Sequence, residues 1–274
     1  MLIDLHLHTK NSDGIESEEE LVNRLSSSQS IIVSFVDHHY LTTKVLKINS
    51  KVKIIPGMEI SGTVNGNSCH FLAYSGNPKP TKNLENMLNK IRNAYDERAK
   101  RYIKQCESFG LKLPKIIRST NLPRPIYTYD IANVIAKLRS IETDKEAISW
   151  AKSNGLLWIE EDNFFPDVYK IIQILHESNY KIFLAHPGIK FFKENISDNE
   201  SMKIWKICLD AGVDGIECFY PKHTPNQTKK FIDLASKNNL LVSGGSDYHG
   251  VGRGIASPYS ILPKKFADKL IASI

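Results

Sequence analysis

Two histidines near the start of the chain, His6 and His8, are two residues apart in an apolar segment typical of a β-strand. Because alternate side chains of a strand leave the same face, both imidazoles can point towards one ion. Imidazole nitrogens are ligands that Zn²⁺, Mn²⁺ and Fe²⁺ accept in proteins. The pair alone only suggests a metal site, since two histidines at this spacing also arise by chance.

Other imidazole and carboxylate side chains lie at the ends or entrances of further predicted strands, or in a turn that follows one. They are Asp13, His38, Glu59, His70, His186, Asp247 and His249. α/β enzymes build their sites in the loops that follow strands. A set without function would instead be scattered over helix surfaces and turns, so the pattern favours one metal site.

The elements that must position these groups alternate between strands and helices. The predicted strands are 1–8, 30–37, 53–56, 69–74, 181–185, 215–219 and 240–243. Most are nearly continuous apolar runs, as in parallel strands buried on both faces. Helices are predicted at 17–25, which begins with a capping-box pattern, and at 225–237. This order predicts an α/β barrel or a doubly wound sheet.

One region departs from this alternation. Residues 79–162 have helical periodicity and many charged residues, with Pro114, Pro123 and Pro125 marking loops. We therefore predict a main domain formed by residues 1–78 and 163–274, and a helical insertion domain formed by residues 79–162 that caps the substrate site.

Composition excludes several classes of protein. The chain has 274 residues, of which 41% are hydrophobic and 24% charged, so a disordered chain is not expected. It has no apolar run long enough to span a membrane, and no signal-peptide pattern at its start. A net charge of +6 suits an anionic substrate but does not call for stable binding of duplex nucleic acid. Four cysteines without a Cys-x-x-Cys pair suggest a reduced, cytoplasmic protein.

Taken in order, the site motifs resemble the PHP (polymerase and histidinol phosphatase) superfamily. They are His6-x-His8, Asp13, Asp37-His38, the segment 56–61, His70, Ala185-His186-Pro187 and the segment 245–249. The insertion after His70 and the segment from 215–220 through Ser246-Asp247 most resemble stand-alone phosphoesterases of the TrpH/YciV type. The resemblance implies a distorted (β/α)7 barrel with a trinuclear metal site at one end.

The resemblance also implies how the ligands divide among three divalent ions. His6, His8, Glu59 and Asp247 would hold the first ion, Glu59, His70 and His186 the second, and Asp13, His38 and His249 the third. Mn²⁺ is our first expectation, with Fe²⁺ or Zn²⁺ as alternatives. Glu59 and Asp247 would thereby be catalytic, by setting the geometry in which a metal-bridging hydroxide attacks phosphorus. Asp4 and Asp37 are predicted to support ligands and not to bind ions.

Substrate contacts are predicted from three further residues. Arg98 and Arg124, both in the insertion, could bind a second phosphate through their guanidinium groups, although a solvated surface is the alternative. His223 follows a predicted strand and could contact the phosphate or protonate the leaving group, or simply cap a helix. Related enzymes often carry Arg-Pro-His where this chain has Arg124-Pro125-Ile126.

The favoured function is that of a metal-dependent phosphoric ester hydrolase acting on nucleotides. Its substrate would be a 3′,5′-nucleoside bisphosphate, which loses its 3′-phosphate, or short RNA, trimmed from the 5′ end. The alternatives are a small-metabolite phosphomonoesterase such as histidinol phosphatase, and a non-catalytic PHP module. We expect a phosphorylated small molecule or a short oligonucleotide as the partner, no membrane association, and a monomer or small homo-oligomer.

Overall fold

The computed structural model describes residues 1–27, 29–41, 51–65, 67–113, 124–157, 165–189, 198–250 and 260–274. Within them the chain is a mixed α/β protein, as expected. Pro114, Pro123 and the predicted domain boundary at 162–163 lie outside the described residues.

The described strands form two sheets. The first contains three parallel strands in the order β1 (Leu2–Leu7), β2 (Ile31–Phe35) and β3 (Val52–Ile54). The second contains β4 (Gly57–Val64), β5 (Asn67–Tyr74), β6 (Lys181–Leu184), β7 (Gly215–Phe219) and β8 (Leu241–Gly244), in that order. Pairing is parallel from β6 to β8, as the apolar runs predict.

The second sheet also differs from the prediction. β4 was not predicted as a strand, and it pairs antiparallel with β5, which in turn pairs antiparallel with β6. The Asn65-Gly66 sequence between β4 and β5 is a strong hairpin signal, and Asn65 has a positive φ of 49°. The hairpin places Glu59 and His70 on neighbouring strands, so it matters directly for the site.

In the described residues the two sheets do not form one continuous ring of strands, so a closed barrel remains a prediction. They are nevertheless joined by two parallel bridges, Leu7 with Tyr248 and His38 with Glu59. Both bridges lie where β1 and β2 end. The strand ends that carry the site motifs are therefore held together by main-chain pairing.

Helices cover the sheets and form the insertion. They are α1 (Glu18–Ser26), α2 (Lys82–Ser108), α3 (Thr128–Arg139), α4 (Asp144–Ser153), α5 (Val168–Glu177), α6 (Asp198–Asp210), α7 (Pro225–Lys237) and α8 (Lys264–Ser273). The predicted capping box of α1 is present, with Ser17 and Glu20 bonding each other's backbone N–H groups. In the described part, no helix is both long and apolar enough to cross a membrane.

The long helix α2 contributes to two apolar cores. Leu84 and Ile91, from its first half, pack in the core beneath β4 and β5. Ala99 and Ile103, from its second half, pack in a separate core with α3 and α4. In the described part of 79–162 all regular elements are helices, in agreement with the sequence pattern. The domain boundaries themselves stay a prediction.

Candidate metal centre

All nine side chains that the sequence singles out as metal ligands meet in one place. They form three groups, within each of which the potential ligand atoms lie within 4.8 Å of one another. The groups are His6, His8, Glu59 and Asp247; Glu59, His70 and His186; and His8, Asp13, His38 and His249. Below, these are called group 1, group 2 and group 3. Binding of metal by these residues remains a prediction.

Group 1 is built around the paired histidines of β1. The Nε2 atoms of His6 and His8 lie 3.1 Å apart, so both rings do point to one place. Oε2 of Glu59 lies 3.4 Å from Nε2 of His6 and 3.1 Å from Nε2 of His8. Oδ1 of Asp247 lies 3.3 Å and 3.5 Å from the same two atoms. Two nitrogens and two oxygens thus surround a position suited to one cation.

Group 2 shares its carboxylate with group 1. The second oxygen of Glu59, Oε1, lies 2.9 Å from Nδ1 of His70 and 3.1 Å from Nε2 of His186. One carboxylate can therefore supply one oxygen to each of two neighbouring ions. Glu59 is 1% exposed, which removes water as a competing partner for this charge.

Group 3 is centred on the carboxylate of Asp13. Its Oδ1 lies 3.2 Å from Nε2 of His249 and 3.8 Å from Nε2 of His38. Nδ1 of His8 is 3.9 Å away from the same oxygen, so His8 lies between groups 1 and 3. This position of His8 was not predicted. The Nε2 atom of His8 is nearer to group 1, where we keep it as a predicted ligand.

The backbone brings these groups together through close approaches at the strand ends. A side chain at Gly245 would collide with the backbone and Cβ of His6, so glycine is required where the end of β8 meets β1. His186 and Asp247 both have positive φ angles, of 28° and 55°. Such conformations are uncommon for residues other than glycine and cluster at functional sites, where surrounding contacts hold them in place.

Two buried aspartates support the site without joining the three groups. Asp37 accepts hydrogen bonds from the backbone N–H and hydroxyl of Thr9, at 2.7 and 2.6 Å, and from the hydroxyl of Ser12 at 2.6 Å. It thereby fixes the loop that carries Asp13. Asp4 was expected to orient an imidazole, but it instead accepts backbone N–H bonds from His6 and Ser246.

The residue that sequence reasoning missed is Glu217 in β7. One of its oxygens lies 2.8 Å from Nδ1 of His6, and the other accepts the backbone N–H of His186 at 2.7 Å. Its side chain is fully buried. The available signal was its charge inside the otherwise apolar strand 215–219, since a buried carboxylate needs a specific partner.

The electrostatics of the site fit bound cations. Burial disfavours the charged form of His8, yet the carboxylates of Asp247 and Glu59 outweigh it and raise its pKa to about 10. Burial likewise opposes ionisation of Glu59, but the neighbouring imidazoles of His70 and His38 hold its pKa well below the ordinary value. A proton on His8 offsets part of the buried carboxylate charge. Divalent cations would do so more directly, with nitrogen and oxygen donors already in place.

The predicted substrate residues lie near the site but already have partners. Nδ1 of His223 lies 3.0 Å from the carbonyl oxygen of Cys218, and its Nε2 accepts the backbone N–H of Gly188 at 3.1 Å. Both ring nitrogens therefore bond main-chain groups of loops, whereas the N-cap of α7 is Thr224 and not His223. Its role in catalysis or phosphate binding stays a prediction.

The two predicted arginines contact tyrosines of the insertion. Arg124 forms a two-pronged ion pair with Asp130, with distances of 2.7 and 2.8 Å, and its guanidinium carbon lies 5.5 Å from the ring centre of Tyr127. Arg98 stacks on Tyr95 at 4.3 Å. Tyr127 donates its hydroxyl proton to the carbonyl of His38 at 3.0 Å, so this aromatic layer contacts the candidate metal centre. Contact of either arginine with phosphate stays a prediction.

Several characterised proteins are similar to most of this chain, although no family model matches it. A phosphoribosyl 1,2-cyclic phosphate 1,2-diphosphodiesterase of Eggerthella lenta is 23% identical over 91% of this chain and 95% of its own length. The 5′-3′ exoribonuclease Rnm of Salmonella typhimurium is 22% identical, over 91% and 85% respectively. A 3′,5′-nucleoside bisphosphate phosphatase of Chromobacterium violaceum is 23% identical, over 92% and 88%.

Solved structures share the fold. A protein of Bifidobacterium adolescentis named as a metal-dependent phosphoesterase has a TM-score of 0.76 at 21% identity, covering 98% of this chain and 95% of its own. An amidohydrolase of Chromobacterium violaceum, solved with bound sulfate, has a TM-score of 0.80 at 18% identity, covering 98% and 97%. The predicted resemblance to PHP-type metal-dependent phosphoesterases is thereby confirmed, and the curated relatives are themselves named as phosphodiesterase, exoribonuclease and phosphatase.

Proposed function

We propose that the chain hydrolyses phosphate esters of nucleotides, with three divalent metal ions bound in groups 1, 2 and 3. The observation that carries the proposal is the Glu59 carboxylate, whose two oxygens contact different sets of histidines. A shared carboxylate of this kind suits two ions held close together. Adjacent cations stabilise the negative charge that a phosphate ester accumulates as it is attacked, and they lower the pKa of bound water.

The residues of this chain would bind the ions and fix their positions relative to one another. His6, His8 and Asp247 would hold the ion of group 1, with Glu59 completing it and joining it to group 2. Asp13, with His38 and His249, would hold the third ion. Mn²⁺ remains our first expectation and Fe²⁺ or Zn²⁺ the alternatives, because mixed imidazole and carboxylate donors suit all three.

We further propose that the two sheets are parts of one distorted (β/α)7 barrel. The two main-chain bridges between them, and the bond from the backbone N–H of Asp247 to the carbonyl of His6, support this arrangement. In such a barrel, residues at the carboxyl ends of the strands face one common opening. Seven of the nine candidate ligands lie at or just after the carboxyl end of a strand, whereas Glu59 lies near the start of β4 and His70 within β5.

For the substrate we propose a 3′,5′-nucleoside bisphosphate or a short RNA with a 5′-phosphate. One site can process both if it holds the 5′-phosphate and cuts the neighbouring phosphoester bond. The phosphatase from Chromobacterium violaceum and the Salmonella exoribonuclease, each similar to about nine-tenths of this chain, support this choice. Arg124 and Arg98 are proposed to attract the 5′-phosphate.

A small-metabolite substrate is the second candidate, because the Eggerthella lenta relative cleaves a cyclic phosphate of a phosphorylated sugar and matches 91% of this chain. The two candidates differ in the leaving group. A nucleotide enzyme must accommodate a base, whereas a cyclic phosphate of a phosphorylated sugar has no base, although it too carries a second phosphate.

The deciding experiment compares substrates on the purified protein with Mn²⁺. We expect phosphate release from 3′-phosphoadenosine 5′-phosphate and mononucleotide release from a 5′-phosphorylated tetraribonucleotide, with no release from histidinol phosphate. Turnover of phosphoribosyl 1,2-cyclic phosphate alone would favour the second candidate. No turnover of any phosphoester by metal-loaded protein would refute the proposal and leave a non-catalytic module.

A further inference from the structure

A cavity of about 570 Å³ lies on the insertion beside helix α4. Its lining residues come from the start of α3 and from one face of α4: Tyr129, Lys145, Ile148, Ser149, Lys152 and Ser153. The volume is within the range of pockets that hold small molecules. Most of the lining is polar or positively charged, which suits an anionic ligand.

The cavity adjoins the candidate metal centre through Tyr129. The ring centre of Tyr129 lies 6.3 Å from that of His249, which belongs to group 3. Tyr129 therefore lies beside both the cavity and a candidate ligand of group 3. A molecule attached to a scissile phosphate at the metal centre can reach the cavity over a short distance.

The lysines of the cavity have no acidic partner in the part of the chain that is described. Lys145 and Lys152 are two helical turns apart on one face, and neither forms an ion pair with a described residue. The nearby Glu146 accepts the backbone N–H of Thr143 at 3.2 Å as part of the cap of α4, and it does not line the cavity. Two ammonium groups thus remain to attract an external anion.

We propose that this cavity binds the part of an oligoribonucleotide that lies beyond the scissile phosphodiester. The inference rests on the proposed nucleotide function and adds a second binding site to it. Lys145 and Lys152 bind the phosphodiester backbone, and Tyr129 stacks against a base between the cavity and His249. Aromatic rings combined with lysines are the usual means of binding single strands without sequence preference.

The test measures binding separately from turnover. A 5′-phosphorylated tetraribonucleotide with a 3′ fluorescent label is titrated with the full-length protein in EDTA, so that no hydrolysis occurs, and anisotropy gives the dissociation constant. Competition against this probe gives the affinity of unlabelled 3′-phosphoadenosine 5′-phosphate. The variant K145A/K152A is compared with K82A/K137A, which removes the same charge from exposed lysines that do not line the cavity.

We expect K145A/K152A to weaken tetranucleotide binding about tenfold and bisphosphate binding less than threefold. Its salt dependence, the slope of log K against log [salt], should be smaller by about 1.4, since each lost phosphate contact on a single strand removes about 0.7. Tyr129→Ala should weaken tetranucleotide binding and Tyr129→Phe should restore it. The control K82A/K137A should bind both ligands as the wild type does.

The cavity assignment would be overturned if K145A/K152A lost equal affinity for the tetranucleotide and the bisphosphate, even if hydrolysis proceeds normally. It would also be overturned if K82A/K137A lost as much affinity as K145A/K152A. Wild-type protein that binds the tetranucleotide no better than the bisphosphate would overturn it as well. Absence of phosphoester turnover, by contrast, would refute the proposed function. The two failures therefore appear in different measurements.

Discussion

The carboxylate of Glu217 lies 2.8 Å from Nδ1 of the His6 ring, and both side chains are fully buried. An acceptor at this distance holds the proton of His6 on Nδ1. The lone pair of Nε2 is then available to a cation that Glu59 and Asp247 would bind as well, since their oxygens lie within 3.4 Å of Nε2. The charge of Glu217 also makes that nitrogen a stronger donor to a cation.

Replacing Glu217 by Gln should reduce the affinity for the metal of group 1, and turnover with it, by roughly ten- to a hundredfold. The amide keeps the size of the side chain but removes the charge that polarises His6. Calorimetric titration with Mn²⁺ measures the affinity. Glu142→Gln, the same chemical change at an exposed position, serves as the control and should bind metal normally. Unchanged affinity in Glu217→Gln would contradict this positioning role.

Glu59→Gln should abolish turnover, with a loss of roughly a thousandfold or more, equivalent to about 4 kcal/mol in the barrier. The two oxygens of the Glu59 carboxylate contact different sets of histidines, and the glutamine amide keeps only one of these oxygens. The link between groups 1 and 2 is therefore broken in the variant. Metal content per protein, measured by mass spectrometry, should fall along with the rate. The exposed Glu19→Gln variant should keep both values, and near-normal activity of Glu59→Gln would refute the proposed site.

Removal of metal should lower thermal stability. One ion bound to the folded state at a hundred times its dissociation constant stabilises it by about 2.7 kcal/mol, which corresponds to roughly 5–10 °C in Tm for a chain of this size, and further independent sites add to this. Scanning calorimetry in EDTA and in Mn²⁺ measures the difference. Because Glu59→Gln lacks a shared ligand, it should gain less from Mn²⁺ than the wild type. Identical melting of the wild type in both buffers would argue against a metal site.

The sequence predicted the convergence of nine side chains because strand ends in α/β proteins meet at one edge. It did not predict that His8 lies between groups 1 and 3, since that depends on where the separate segments that carry Asp13 and Asp247 lie relative to β1. The β4 strand was missed because it follows Pro56 and contains Gly57, Glu59, Ser61 and Gly62, so it lacks the continuous apolar run by which the other strands were predicted. Glu217 was missed because its importance comes from His6, a residue 211 positions away in the chain.

Arg124→Ala should raise KM for a 3′,5′-bisphosphate about tenfold and change KM for a 3′-monophosphate less than twofold. Asp130 holds the guanidinium in place, and burial against Tyr127 strengthens its interaction with a phosphate. Asp130 also accepts the backbone N–H of Tyr127 at 2.8 Å, and Arg124→Ala leaves this bond in place, so the turn keeps that support in the variant. Equal losses on both substrates in Arg124→Ala would show that the arginine only supports the loop.

His223→Gln distinguishes a catalytic acid from a residue that holds loops in place. Loss of a general acid costs roughly a hundred- to ten-thousandfold in kcat. The bonds of both ring nitrogens to main-chain groups lead us instead to expect a loss below tenfold, with about 1 kcal/mol lost from the free energy of unfolding for each broken hydrogen bond. Steady-state kinetics and urea denaturation measure the two effects separately.

The pH dependence of stability gives an independent check on His223. Burial lowers the pKa of its imidazole below the ordinary value of 6.5. As the pH falls through 6.5 the unfolded chain takes up a proton that the folded chain does not, so the free energy of unfolding decreases. His223→Gln removes this group, and its unfolding free energy should fall less than that of the wild type between pH 7 and pH 5. Parallel curves for the two proteins would mean that the pKa of His223 is the same in the folded and unfolded states, which would restore it as a candidate proton donor.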